Sequence, residues 1–318
     1  IAMFIGGLAY VPLCLDEIRM SPQLHIMVYG YFPHSFNQTM RFGGWRPQVF
    51  MHHGLELSVW MMAATLIGIW LWQAGVLDKL WGIPMSLLVV GLVITFVLVK
   101  STGAYFYFFY GLVILFVAKQ FRTAFPLLLL ISGLSFYLLL GISGIFGPQQ
   151  VDQVNSIVSQ IVPEDRASSL KFRLDNEQFL GARARERVLF GWGGWGRSRE
   201  IKDSRGEEIG TVTDSLWIIS FGDRGAVGVM ALFGSSLLPA LSFFWLRYPA
   251  RSWFHPKVAP AAVLSVVIVL YMLDCMANSM PNPVYTLTSG GIAGLVLKQP
   301  ENSKVRGPRL VAARSSHR

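Results

Sequence analysis

Residues 125–146 read FPLLLLISGLSFYLLLGISGIF, without one charged side chain. About 20 residues of helix cross the roughly 30 Å hydrocarbon core of a bilayer, and this run is long enough. Water does not reach the backbone at that depth, so the segment must bond its own N–H and C=O groups and is expected to be helical. Comparable apolar runs lie at 1–15, 54–73, 82–99, 104–118, 225–246, 258–277 and 283–297. The sequence therefore predicts an all-α, polytopic helical membrane domain over residues 1–297, with about eight transmembrane helices.

Composition agrees. Of 318 residues 53% are hydrophobic and 14% charged, against about 25% charged in soluble domains. Mean hydropathy is +0.48. The formal charge of +9 then has to be read by location, because basic residues sort to the cytoplasmic side. Charges spread between apolar spans do not describe a nucleic-acid surface. If the eight spans alternate, Lys79, the 119–124 loop (Lys119, Arg122), the 247–257 loop (Arg247, Arg251, Lys257) and the tail 298–318 share one face. That face is expected to be cytoplasmic, with the tail basic and disordered. Cys14 and Cys275 sit in or beside spans and give neither a disulfide framework nor a metal box. Ile1 already lies inside an apolar run, with no basic region before it and no cleavage site after it, so the natural N-terminus is expected further upstream.

Two segments fall on the opposite, extracytoplasmic face: 16–53, with Arg19, Arg41 and Arg46, and the large loop 147–224. Long loops cross a membrane largely regardless of charge, but the arginines of the shorter one break the rule. Within the long loop, VDQVNSIVSQIV is weakly helical. Leu170, Leu174, Phe179 and Leu180 recur near helical spacing between Ser168 and Arg187. These predict an amphipathic helix that lies along the membrane or caps a cavity.

The helix runs into RVLFGWGGWGRSR, residues 187–199, where glycines beside positive charge raise the question of a phosphate loop. The stretch lacks the Gly-Lys-Ser/Thr ending and the strand–helix setting that nucleotide loops require. It also faces away from the cytoplasm, so nucleotide binding is rejected. An interfacial loop, with Trp192 and Trp195 at the lipid boundary, is the plainer expectation. His52, His53 and Glu56 stand close together, but no H-E-x-x-H or cysteine cluster joins them, so helix-start residues are expected rather than a metal site. Asp214 opens the return into the membrane, either as an N-cap together with Ser215 or as a general base. Asp223 and Arg224 are neighbours that offset each other and read as structural.

Taken in order, these stretches resemble the O-antigen ligase and O-antigen polymerase superfamily of bacterial envelope enzymes. The resemblance runs from about residue 40 to 297. It is carried by RFGGWRP (41–47), KSTGA (100–104), SLKFR (169–173), RVLFGWGGWG (187–196) and DSLWIISFGDRGAVG (214–228). It implies a metal-independent, cofactor-free glycosyltransferase on the extracytoplasmic face of the inner membrane. Its partners would be an undecaprenyl-diphosphate-linked glycan and a glycan or lipid-linked acceptor. Arg173 would grip phosphate; Arg41 or Arg46, with Arg187, Gly191 and Gly193, would line the substrate site. Asp214 stands where the ligases carry an acceptor-activating histidine, and Arg187-Val188 replaces Arg-Pro or Lys-Pro. Loss of the histidine favours a polymerase or an exopolysaccharide relative over a lipid A ligase. A flippase of lipid-linked glycans is the alternative from another class; the near absence of charge inside the spans speaks against it.

Overall fold

The computed structural model describes residues 1–145, 164–194, 196–199 and 214–298, with a few positions between 152 and 160. The weak helix expected at 151–162, Trp195 and nearly all of the basic tail lie outside the described residues or only partly within them.

The apolar runs fold as helices whose ends follow local chemistry. They are α1 (Ala2–Met20), a short α2 (Leu24–Tyr29), α3 (Gly54–Gln73), α4 (Met85–Leu98), α5 (Thr102–Phe121) and α6 (Phe125–Ser143). The polar α7 (Glu164–Arg185) follows, then α8 (Leu216–Ser242), α9 (Ala259–Ala277) and α10 (Pro283–Leu297). The α3 helix starts where His53 Nδ1 accepts from Leu55 N at 3.0 Å. The α10 helix starts where Asn282 Oδ1 accepts from Val284 N at 3.0 Å, ahead of Pro283 in the first turn.

The α3 and α9 helices are the buried pair, and α1, α4, α5 and α8 pack around them. The outer helices are apolar on their outward faces too. Leu87, Val90 and Ile94 of α4, Phe106, Phe109 and Phe116 of α5, and Phe136 and Leu139 of α6 are exposed. A helix apolar all round belongs in lipid.

Among the described residues, five helices are long and apolar enough to cross a membrane: α3, α5, α6, α9 and the continuous run Leu216–Arg247 that contains α8. The other three expected spans fold as helices that differ from that form. The α4 and α10 helices have only 14 and 15 residues, about 21–23 Å at 1.5 Å per residue. The α1 helix carries Asp16, Glu17 and Arg19 near its C-terminus. Glu17 ties this end to the following loop, accepting from Gln48 N and Val49 N at 2.7 Å and from Leu24 N at 3.1 Å. The all-α expectation also misses two small hairpins, β1 (Met40–Arg41) with β2 (Gly44–Trp45), and β3 (Lys79–Leu80) with β4 (Ile83–Pro84). Each turns on an aromatic–glycine pair with φ positive at both positions, Phe42–Gly43 and Trp81–Gly82, the geometry of two-residue hairpins.

The expected span at 225–246 starts earlier, at Leu216, and is broken at Gly225, whose φ of 66° and ψ of −167° are non-helical. The broken helix is mended by backbone from the glycine-rich stretch. Trp192 N and Gly193 N donate to the carbonyls of Gly222 and Asp223 at 2.8 and 2.9 Å. In return Ala226 N and Val227 N donate to Val188 and Leu189 at 2.7 and 3.2 Å. Both glycines at the crossing are sterically required. A Cβ on Gly225 would lie 2.3 Å from Leu189 O, and one on Gly191 2.6 Å from Arg224 N. RVLFGWGGWG is therefore a backbone splint for α8, a role that composition did not indicate.

Gly225→Ala and Gly191→Ala should each cost at least about 2–3 kcal/mol through strained φ and backbone collision. The measurement is the yield and thermal midpoint of folded protein in detergent. Gly133→Ala on α6, where a Cβ meets nothing within 4 Å, should behave as wild type.

Candidate functional site

The ends of α3, α5, α8 and α10 that come first in the chain gather with the last turn of α9, and α7 lies across α8 and α6. The sequence-expected amphipathic stripe of α7 is rearranged. Leu180, Gly181 and Ala184 are buried, while Phe172 and Phe179 point outward and are more than half exposed. Arg173 and Glu177 precede Leu180 at helical spacing and share its inward stripe, so the helix buries polar groups where an amphipathic pattern expects leucines.

Arg173 is half-buried. Its Nη1 donates to Ala277 O, the last residue of α9, at 2.8 Å, and its Nη2 stands 3.9 Å from Asp214 Oδ2. The two residues expected to carry the chemistry are thus brought together. Asp214 does not cap α8. Ser215 holds the N-cap position without making the capping bond; its hydroxyl donates to Glu177 Oε1 at 2.5 Å.

Glu177 also accepts from Trp217 Nε1 at 3.1 Å and, on its other oxygen, from Tyr137 Oη at 2.7 Å. Burial pushes this carboxyl up, against the pull of the three donors and of Arg173.

The earlier loop delivers Arg46 differently from Arg41. Arg41 is exposed on β1. Arg46 is 4% exposed, its Nη2 donates to Ser58 Oγ on α3 at 3.3 Å, and its Nε has no partner. Burial and the nearby Arg41 charge lower its pKa to about 10. Gly44 lies two residues before Arg46, at the start of β2. Against Gly44 lies Lys100 of KSTGA, whose Nζ is 2.3 Å from where a Gly44 Cβ would be.

Between these cations and Arg173 sits Asp274, buried near the end of α9. It accepts from Asn278 Nδ2 at 2.7 Å and from the Tyr107 hydroxyl, and it attracts both Arg173 and Arg46. Sequence reading passed over Asp274 and Glu177, and it noted Lys100 only as part of the KSTGA turn. An aspartate inside YMLDCMAN was a visible signal, since ionisable residues inside spans are rare and usually functional. Glu177 gave no signal, being one acid among many in a polar helix.

Arg187, Gly191 and Gly193 are not in this group. The α7 helix carries the chain about 18 Å from Arg173 to Arg185. The Arg187 guanidinium then lies 4.4 Å and that of Arg183 3.5 Å from the Trp192 ring. The two glycines belong to the α8 splint. His52 and Glu56 form a contact of 3.5 Å at the start of α3, and Glu56 also accepts from Asn282 Nδ2 at 3.1 Å. Among the described residues no three His, Cys, Asp or Glu side chains gather as a metal-ligand set.

Below Tyr137 and Met276 an apolar cavity of about 450 Å³ runs between α5, α6 and α9, lined also by Phe106, Tyr110, Leu129 and Leu134. Phe106 and Leu129 are largely exposed, so the cavity opens on the lipid-facing side. Two of its lining residues border the polar groups: Tyr137 bonds Glu177, and Met276 precedes Ala277, the acceptor of Arg173.

No family model, curated protein or solved structure matches this chain.

His53 provides a pH test of the site's frame. Burial first, then Arg46, His34 and Arg41, push its pKa from 6.5 down to about 4, and its α3 cap needs an unprotonated Nδ1. A lowered folded-state pKa means stability that is full above 6.5 and is lost as pH falls toward 4. The thermal midpoint in detergent should fall over that window. His53→Asn, which caps without titrating, should flatten the fall; an unchanged profile would remove His53 as its source.

Proposed function

We propose that this chain is a membrane glycan transferase of the polymerase or ligase type. It moves a glycan from undecaprenyl diphosphate to a glycan acceptor in surface polysaccharide synthesis, on the extracytoplasmic face of the bacterial inner membrane. The observation that supports the reading is an apolar cavity whose lining residue Tyr137 bonds Glu177, one helical turn from the Arg173–Asp214 pair. A polyisoprenyl diphosphate is apolar along its chain and anionic at its head, and both parts find complementary surroundings here.

In this reading eight spans alternate, and Arg41, Arg46, Lys100, Arg173 and Asp214 share the outer face. The acceptor hydroxyl attacks the anomeric carbon, the bond from that carbon to the diphosphate oxygen breaks, and the hydroxyl proton passes to Asp214. Negative charge grows on the departing diphosphate, and preorganised cations lower the barrier by meeting it. Arg173 is the first of these cations. Arg46 is favoured over Arg41 as the second, because a buried guanidinium with an unpaired Nε is costly unless an anion completes it. Lys100 stands beside it. Aspartate at position 214 favours a polymerase over a lipid A ligase. Transport is disfavoured by the state of the α8 break: its backbone groups are taken by residues 188–193 and are not free to hold a substrate.

The test is transfer from a polyisoprenyl-diphosphate-linked glycan by the full chain in proteoliposomes, with product length read on a gel. Arg173→Ala should lower transfer by about 10²–10³-fold, and Asp214→Asn by about 10²–10⁴-fold, with insertion unchanged. Wild-type activity of both variants would sink the assignment. Surface glycan from a deletion strain divides the class: accumulated single repeats mark a polymerase, and unligated full polymer on the lipid carrier a ligase.

A further inference from the structure

Arg173 and Asp214 lie on different elements, and no backbone hydrogen bond among the described residues joins them directly. Their separation must be set by something else. One turn beyond Arg173 on α7 is Glu177; one residue beyond Asp214 is Ser215. The Glu177–Ser215 bond of 2.5 Å is therefore the nearest tie between the two functional positions.

From this geometry we infer that Glu177 is a positioning residue, whose carboxylate pins α7 to α6 and to the start of α8 and so sets Arg173 against Asp214. The inference rests on the functional reading of those two residues. Three observations carry it. First, Glu177 collects donors from two other elements, Tyr137 on α6 and both Ser215 and Trp217 at the head of α8. That fills three of the roughly four acceptor positions of a carboxylate. Secondly, Ser215 stands at an N-cap without making the cap bond, and its hydroxyl is directed to Glu177 instead. Thirdly, all three donors are neutral. A buried carboxylate is a poor way to gain stability alone, even with Arg173 one turn away, since apolar residues of similar volume often do as well. Its advantage is directional: three bonds fix the rotation and height of α7, which an apolar contact would leave free. The same occupancy argues against Glu177 as the base itself, because its oxygens are already engaged.

The experiment compares wild type, Glu177→Gln and Glu177→Leu in proteoliposomes by two readouts. The first is kcat and KM for a polyisoprenyl-diphosphate-linked glycan. The second needs no activity: spin labels replace the exposed Phe179 on α7 and Phe136 on α6, and pulsed electron paramagnetic resonance reads the distance distribution. Cys14 and Cys275 are buried and stay unlabelled. Glutamine can still accept from Ser215 and Trp217, and its amide can donate to Tyr137. Glu177→Gln should therefore keep a narrow distribution, with kcat above about a third of wild type. Glu177→Leu should insert, melt lower than wild type because Tyr137, Ser215 and Trp217 lose their acceptor, and broaden the distribution at temperatures where it remains folded. Its kcat should fall about ten- to a hundred-fold, as misplacement by an ångström can cause, with KM changed less than about three-fold. A narrow distribution in Glu177→Leu overturns the inference. So does a Glu177→Gln as inactive as the leucine form while its distances stay narrow, because the charge would then be the active element. If wild type transfers nothing, the glycan-transfer reading fails, and the distance comparison alone decides whether Glu177 orients α7.

Discussion

A backbone carbonyl in hydrocarbon has only protein to bond, and this constraint shapes the molecule. At Gly225 the α8 helix leaves two carbonyls and two amides without intrahelical partners. Residues 188–193 meet all four with their own backbone. Because the splint is the direct continuation of α7, mending α8 also ties down the C-terminal end of the helix that carries Arg173. Glu177 pins the middle of α7. Two anchors of different kinds, one backbone and one side chain, thus hold a polar helix against apolar ones.

Electrostatics supplies the second constraint. Arg46, Lys100 and Arg173 approach one region of low dielectric, where like charges repel more strongly than in water. Asp274 offsets part of that charge, and its attraction for both Arg46 and Arg173 links the early loop to α7 through α9. Asp214 and Glu177 offset Arg173 as well, so the open bonding capacity lies at Arg46, whose buried Nε has no partner; that is the physical content of the proposed diphosphate site.

The helices were legible because apolar runs in lipid have one solution, and the bounds of α3, α9 and α10 fell within a residue or so of expectation. The start of α8 was not. Asp223 and Arg224 looked like loop, yet Asp223 is satisfied by Ser198 Oγ at 2.8 Å and the chain remains helical around them. Such compensation comes from residues far away in sequence, and no local pattern announces it. The Arg173–Asp214 pair was legible through motif order. Arg187, Gly191 and Gly193 were drawn into the same site by that order, although the α7 helix carries them away from Arg173. The Trp/Gly stretch shows the limit most clearly: glycine tolerance of positive φ can serve a ligand, a turn or another backbone, and composition alone does not distinguish the three.

The choice between a ligand loop and a structural splint follows from hydrogen-bond occupancy. A phosphate-binding loop must present free N–H groups. Here the amides of Gly191, Trp192 and Gly193 are spent on Arg187, Gly222 and Asp223, so the loop has little left to offer an anion. Arg46 presents the opposite case, with a buried guanidinium and an unused Nε. The glycine-rich loop thus carries the fold, and the under-bonded Arg46, together with Arg173, carries the anion-binding capacity.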